Sequence, residues 1–199
     1  MAVVRVGLTG GIGSGKSAVA EIWRERGALI VDADRLAHDA VAPGTPALAA
    51  IAERWPQTLA ADGTLDRAAL ARIVFAAAAE RERLNAIVHP QVRAAADALE
   101  AAAPDGAIVV HVVPLLFEGD FWRSCDATVA VVAPEAARIA RVRARDGVDE
   151  ASVVQRMRAQ IDPAEARRRA TCVIVNDADR ATLRERADAV YDALRSSRA

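Results

Sequence analysis

The chain has 199 residues, of which 53% are hydrophobic and 27% charged, and its formal net charge at pH 7 is −1. This length suits a single domain with a sizeable core, and the near-even charge balance gives no sign of binding to nucleic acid or to a membrane surface. No apolar run approaches the roughly 20 residues that a membrane span needs, so we expect no membrane partner.

A first predicted strand, residues 3–9, leads directly into a phosphate-binding motif, which is followed by a predicted helix over residues 18–26. The motif fits G-x-x-x-x-G-K-[ST] and reads Gly10-Gly11-Ile12-Gly13-Ser14-Gly15-Lys16-Ser17. Its glycines allow backbone N–H groups to form an anion-binding nest at a helix N-terminus. Lys16 would place its charge on the β- and γ-phosphates, and the Ser17 hydroxyl can ligate Mg²⁺.

The alternative is a glycine-rich turn that matches the motif by chance. Composition argues against it, because Lys16 is the only lysine among the 26 basic residues of the chain. A chain that otherwise uses arginine keeps its single lysine where a compact charge suits a phosphate better than a planar fork.

Residues 28–31 form a short apolar run that predicts a buried parallel strand. The following region, residues 35–103, lacks strand patterns and is expected to be mostly helical. Within it, Asp66 is expected to cap a helix that ends near residue 77, and a longer helix is predicted over residues 80–103. Pro90 falls inside that helix and predicts a kink or a split.

Three further apolar runs predict strands, and Pro134 is expected to open a helix after the second of them. The runs are residues 108–113, 127–132 and 172–175. Residues 115–118 are predicted to form a turn that leads into a short helix, and residues 179–195 a terminal amphipathic helix. Strands that alternate with helices predict a parallel α/β sheet with right-handed crossovers.

Two carboxylates, Asp32 and Asp34, follow the second predicted strand. Ligands bind at the carboxyl edge of open α/β sheets, and side chains two residues apart point the same way in extended structure. One acid could therefore take a proton from an acceptor hydroxyl while the other helps to hold a metal. The alternative is that one of them caps the next helix.

Arg138, Arg141 and Arg145 recur at a spacing that puts them on one face of a helix. Such a row suits a mobile flap that closes over a triphosphate, but a solvated arginine face would give the same pattern. His89 lies in a helical segment beside Pro90, where a lone histidine is more often structural than catalytic. Glu118 could approach a metal or pair locally.

Several of these stretches, taken together and in this order, resemble bacterial dephospho-coenzyme A kinases along nearly the whole chain. The phosphate-binding motif alone is generic, and the later series are specific. The matching residues are Leu8-Thr9 with the motif, Asp32-Ala33-Asp34, Asp62-Gly63 with Leu65, Arg67 and Leu70, Leu84-Asn85 with Ile87 and His89-Pro90, Pro114-Leu115-Leu116-Phe117-Glu118, Arg141, Arg145, Gln160 and Asn176.

The resemblance implies ATP-dependent phosphorylation of the ribose 3′-hydroxyl of dephospho-CoA, with Asp34 as the base. It implies a three-layer P-loop kinase fold with a five-stranded parallel sheet, divided into a core (1–34, 104–137 and 170–199), a helical substrate-binding region (35–103) and a lid (138–169). The resemblance assigns residues to three roles. Catalysis falls to Asp34, Lys16, Arg141 and Arg145; ATP binding to residues 11–17, Arg141 and Asn176, the last near the adenine; and substrate binding to Asp32, Asp34, His89 and Leu115.

Mg²⁺ held by Ser17 and Asp32 is the expected cofactor, with ATP as co-substrate. We expect a cytoplasmic location, because no signal peptide is apparent and because Cys125 and Cys172 have no metal-like spacing. The expected assembly is a monomer or a weak homo-oligomer.

The sequence departs from the family pattern at several positions, which leaves the chemistry intact but puts local contacts in doubt. Arg138 stands where glutamine is expected and His38 where arginine is expected. Trp55-Pro56 replaces a frequent Phe-Gly, and Thr171 replaces an aspartate.

Two other functions remain open from the residues alone. A shikimate or nucleoside monophosphate kinase would share the P-loop and even the acid pair, but it would leave the Leu-Asn…His-Pro series unexplained. A nucleotide switch that reads GTP would need an Asn-Lys-x-Asp run, whereas this chain offers Asn176-Asp177-Ala178-Asp179 without the lysine.

Overall fold

The computed structural model describes residues 3–158, 160 and 162–196, and in these residues five strands form one parallel sheet. The strands are β1 (Val4–Thr9), β2 (Leu29–Asp32), β3 (Ile108–Val112), β4 (Ala127–Val132) and β5 (Cys172–Val175). Their spatial order is β2-β3-β1-β4-β5. Leu8 of β1 lies opposite Val112 on one side and Val129 on the other. The predicted five-stranded parallel sheet is confirmed.

Helices connect these strands, and none of them within the described ranges is long and apolar enough to cross a membrane. They are α1 (Lys16–Glu25), α2 (Ala33–Ala40), α3 (Pro46–Arg54), α4 (Arg67–Ala76), α5 (Ala78–Ala101), α6 (Glu135–Asp146), α7 (Glu150–Arg158), α8 (Pro163–Arg169) and α9 (Arg180–Ser196). Short 3₁₀ turns occur at Pro56–Thr58, Leu116–Glu118 and Phe121–Ser124. The chain divides into two compact units: Met1–Val31 with Ala103–Ala199, and Asp32–Ala102.

Strand β4 shows how the sheet of the first unit is covered on both faces. Val129 and Val131 join the main core, whereas Ala130 between them packs with Ala166 of α8 in a separate cluster. Because successive side chains of a strand point to opposite faces, the two clusters lie on opposite sides of the sheet. The layers are therefore helix, sheet and helix, as the predicted fold class requires.

The main core of this unit is closed by the packing of α1 against α9. Trp23 is fully buried, and its Nε1 donates to Ala187 O at 2.8 Å. The Tyr191 hydroxyl donates to Arg26 O at 3.2 Å, and the Arg26 guanidinium lies 4.9 Å from the Tyr191 ring centroid. These contacts fix the helix that follows the phosphate-binding motif.

The second unit is organised around α5, a continuous helix of 24 residues that includes Pro90. The sequence predicted a kink or a split at this proline, and the split does not occur. Proline removes one backbone hydrogen bond from a helix interior, but α2, α3 and α4 all pack against α5. Its Leu84, Ile87 and Val88 contact a buried cluster centred on Ile51, so packing outweighs the missing bond.

Trp55, one of the departures from the family pattern, requires a hydrogen-bond acceptor that phenylalanine would not need. The residue is 3% exposed, and its Nε1 donates to Glu80 Oε2 at 2.9 Å. Partial burial alone would raise the pKa of Glu80. The hydrogen bond from Trp55 and the nearby guanidinium groups of Arg54 and Arg83 outweigh that effect, and the pKa lies below its usual value of 4.5.

We expect Glu80→Gln to lower the melting temperature at neutral pH, because glutamine can still accept from Trp55 but loses the attraction to both arginines. A lowered carboxyl pKa contributes stability that is present above pH 4.5 and is lost as the pH falls through the folded-state value. The difference in melting temperature between wild type and variant should therefore shrink below about pH 4.5. Thermal unfolding of both proteins between pH 3 and 8 measures this difference in melting temperature. A difference that does not change with pH would contradict the prediction.

Candidate active site

The P-loop, residues 10–17, joins the end of β1 to the first turn of α1. Gly15 is the N-cap of α1 and has φ 103°, in the left-handed region that favours glycine. Any side chain at this position would also collide with Asn176 Nδ2. The loop thus ends at the N-terminus of a helix, where backbone N–H groups and the helix dipole favour an anion.

Five successive carbonyl oxygens of the P-loop each accept a hydrogen bond. The donor–acceptor pairs are Lys16 Nζ to Gly10 O (2.5 Å), Ser14 N to Gly11 O (3.0 Å), Arg138 Nε to Ile12 O (2.9 Å), Arg141 Nη1 to Gly13 O (3.3 Å) and Asn176 Nδ2 to Ser14 O (2.8 Å). In a planar trans peptide the N–H points away from the C=O. These bonds fix the orientation of the peptide planes along the loop, and a glycine-rich loop at a helix N-terminus is a setting in which backbone N–H groups can form an anion nest.

Lys16 and Ser17 occupy the first two positions of α1. The bond from Lys16 Nζ to Gly10 O keeps the only ammonium side chain of the chain folded over the loop. A compact ammonium group can follow phosphate charge as it moves. The arrangement can therefore bind a polyphosphate and stabilise charge on the phosphoryl group that is transferred.

The few possible metal ligands around Ser17 fit a Mg²⁺ ion that is bound mainly by the phosphate oxygens of a substrate. In the described part of the chain, no three His, Cys, Asp or Glu side chains cluster as a metal site. Ser17 is exposed and offers a hard oxygen donor. Mg²⁺ usually keeps several waters and takes only one or two protein ligands beside phosphate oxygens, which matches this sparse donor set.

Asn176 and Arg141 form one wall of the P-loop. Asn176 directly follows β5 and is 6% exposed, and its backbone N–H donates to Val132 O at 2.7 Å. Arg141 Nη2 lies 3.3 Å from both Asn176 O and Asn176 Oδ1. The two side chains thereby connect α6 and the end of β5 to the loop. The predicted contact of Asn176 with adenine stays a prediction.

The row of arginines on α6 divides into two parts. Arg138 and Arg141 both contact P-loop carbonyls, so neither belongs to a solvated face. Arg145, near the end of the helix, is 65% exposed and forms an ion pair with Asp146 at 2.6 Å. The hydrogen bond from Arg145 holds the pKa of Asp146 below its usual value. A catalytic role for Arg145 stays a prediction.

The acid pair does not lie in extended structure. Asp32 ends β2 and caps α2, and its Oδ1 accepts from the N–H of Asp34 at 3.0 Å and of Arg35 at 3.2 Å. Asp34 lies in the first turn of α2 and is exposed. The prediction that both side chains leave a strand in the same direction is wrong, because the cap turns the chain into a helix directly after Asp32. The alternative that one acid caps the helix is confirmed for Asp32.

The two remaining predicted substrate contacts lie in different units. His89 is exposed on α5, in an open groove of about 440 Å³ whose polar lining residues recur every four positions: Asn85, His89, Arg93 and Asp97. Leu115 lies between β3 and the turn Leu116–Glu118 and is 44% exposed. Their roles in substrate binding stay predictions.

Sequence reasoning gave Gln160 no contact, yet its side chain binds the tip of the P-loop. Gln160 Oε1 accepts from the N–H of Ile12 at 2.8 Å. With Arg138 on the carbonyl of the same residue, Ile12 is held on both its backbone groups by side chains from the predicted lid. The partners lie 148 and 126 residues away in sequence, so no local pattern could indicate either contact.

Comparison with known proteins places this geometry in a family. A family model described as dephospho-CoA kinase matches residues 4–182. A dephospho-CoA kinase from Thermobifida fusca is 44% identical over 96% of this chain and 96% of its own length. One from Moorella thermoacetica is 48% identical over 87% of this chain and 84% of its own length.

Among solved structures, the protein TT1252 from Thermus thermophilus superposes with a TM-score of 0.88. It is 36% identical to this chain, and the match covers 97% of this chain and 98% of that protein. The likeness therefore extends over both compact units and is not confined to the P-loop.

Proposed function

Because this chain belongs to the dephospho-CoA kinase family, we propose that it transfers the γ-phosphate of ATP to the ribose 3′-hydroxyl of dephospho-CoA, the last step of CoA biosynthesis. The observation that carries the proposal is the P-loop, in which the carbonyls of residues 10–14 each accept a hydrogen bond, within a chain that matches this family over residues 4–182. The same match favours this reaction over that of a shikimate or nucleoside monophosphate kinase.

We assign the nucleotide to the P-loop side of the site. Residues 11–17 would bind the phosphates, and Lys16 would follow the charge as it moves to the γ-phosphoryl group. Arg141 and Asn176 would bind the rest of ATP. Mg²⁺, held by Ser17 with Asp32, would neutralise phosphate charge when it is bound.

We assign the acceptor chemistry to Asp34. Its carboxylate would take the proton of the 3′-hydroxyl as that oxygen forms a bond to the γ-phosphorus and the bond to ADP breaks. Asp34 lies in the first turn of α2 with its side chain exposed, and Asp32 caps the same helix. His89 and Leu115 would contact dephospho-CoA. The enzyme would act in the cytoplasm as a monomer or weak homo-oligomer, without nucleic-acid partners.

A coupled ATP-consumption assay over a panel of acceptors tests this function. Dephospho-CoA should support turnover, whereas shikimate, adenosine and nucleoside monophosphates should not. Turnover with shikimate instead, or selective GTP binding without acceptor-dependent turnover, would overturn the proposal.

A second measurement tests the lid. If residues 138–169 close over ATP, their backbone N–H groups should exchange with solvent more slowly when a non-hydrolysable ATP analogue is bound, because closure protects hydrogen bonds that open in the free enzyme. Hydrogen exchange read peptide by peptide gives the result, with α9 as an internal reference outside the predicted lid. Equal exchange with and without the analogue would show that this segment does not close.

A further inference from the structure

Arg138, the fourth residue of α6, is only 5% exposed, although a guanidinium group stays charged in proteins. Its Nε donates to Ile12 O at 2.9 Å. Its Nη2 lies so close to Gly11 that any side chain at this glycine would collide with it. The charged group therefore packs directly against the backbone at the tip of the P-loop.

No carboxylate in the described ranges forms an ion pair with Arg138. Burial of Arg138 lowers its pKa, and this effect outweighs the opposing attraction of Glu135. The Glu135 side chain is exposed and lies one helical turn earlier in α6. The small cavity beside the guanidinium, about 10 Å³, has no acidic residue in its lining, which includes Thr9, Gly10, Ser14, Pro114 and Gln160. Burial of a charge without an acidic partner is unfavourable.

A hydrogen bond to Ile12 does not by itself require a charge. Glutamine, the residue expected here from the family pattern, can donate to the same carbonyl while it stays neutral. Arginine brings the extra cost of burying a cation, and a nearby anion would offset that cost. The only anion-binding arrangement that it touches in the described structure is the P-loop.

We infer that Arg138 is a positioning residue whose buried positive charge, fixed behind the P-loop, strengthens the binding of the ATP phosphates in proportion to their charge. The inference rests on the proposed ATP site. The phosphates would be the counter-charge that the protein itself does not provide. A unit charge several ångströms from an anion in a partly buried site is worth about tenfold in affinity.

The experiment compares Arg138→Lys, which keeps the charge, with Arg138→Gln, which keeps only a hydrogen-bond donor. Arg143→Gln is the matched control, because Arg143 is exposed on the same helix and lies 3.8 Å from Glu150. Calorimetry gives the Kd of ATP, ADP and AMP for each protein at two salt concentrations. Thermal unfolding without nucleotide reports whether each variant is folded.

For Arg138→Gln we expect ATP to bind about tenfold more weakly, with a smaller loss for ADP and the smallest for AMP, and with unchanged or higher stability of the free protein. Arg138→Lys and Arg143→Gln should both stay within about threefold of wild type. Normal ATP affinity of Arg138→Gln, or equal losses for ATP and AMP, would show that Arg138 only braces the loop and would overturn the inference. Failure of the wild type to bind ATP would instead contradict the proposed function.

Discussion

Replacing Lys16 by alanine is expected to lower kcat at saturating ATP at least about 10²-fold. Lys16 supplies the one ammonium side chain of the chain, and it lies folded onto Gly10 O at 2.5 Å. In phosphoryl transfer the protein contributes mainly positioning and charge stabilisation. Loss of a charge that can follow the γ-phosphoryl group should therefore affect the transition state more than it affects the bound ground state.

Two further substitutions sharpen this test. Lys16→Arg keeps a positive charge but replaces a compact ammonium with a planar fork, so we expect it to stay well below wild-type activity. Arg24→Ala, on the exposed side of the same helix, should leave kcat unchanged. Wild-type kcat for Lys16→Ala at saturating ATP would remove Lys16 from the catalytic machinery.

The single lysine also permits a test that needs no substitution. An amine-selective reagent can modify only one side chain of this protein, that of Lys16. If that side chain binds the phosphates, MgATP should protect it from modification while the α-amino group still reacts. Peptide mass spectrometry measures the two sites separately, and equal labelling with and without MgATP would contradict the assignment.

The strands were predictable because each is a short, mainly apolar run. Val129 and Val131 illustrate the limit of that signal. A run buried on both faces shows that a strand is covered, but it does not show which strand lies beside it. The order β2-β3-β1-β4-β5 depends on contacts between residues far apart in sequence, which a local pattern does not contain.

The candidate site, like the sheet, was predictable from the sequence only in part. The P-loop was predictable because the nest, the lysine and the serine are contiguous and its chemistry is local. The residues that hold its carbonyls, Arg138, Arg141 and Asn176, come from beyond residue 130, and only the fold brings them to the loop. At Pro90 the local rule allowed a split of the helix, and the packing of three helices on α5 keeps it continuous.

Capping settled a choice that the sequence left open between Asp32 and Asp34. Residues with short polar side chains favour both N-caps and active sites, so their type alone does not decide. The structure gives Asp32 two backbone N–H partners at 3.0 and 3.2 Å. Asparagine at this position can make the same cap, which makes Asp32→Asn a control that removes charge without disrupting α2.

Asp34→Asn is therefore expected to slow the phosphoryl transfer itself while ATP binding is little changed. Asparagine keeps the size of the side chain and the first turn of α2, but it cannot accept the proton of the 3′-hydroxyl. General base catalysis typically contributes 10²–10⁴-fold, so we expect kcat to fall by roughly that factor while the Kd of ATP changes little. Steady-state kinetics with dephospho-CoA and calorimetry with ATP measure the two quantities.

The paired variant decides between the two acids. If Asp32 caps α2 and helps to hold Mg²⁺, Asp32→Asn should raise the Mg²⁺ concentration needed for half-maximal activity and lower kcat less than Asp34→Asn does. An active Asp34→Asn together with an inactive Asp32→Asn would show that the roles are reversed. In that case the proton would pass to the carboxylate that also caps α2 through its two backbone N–H partners.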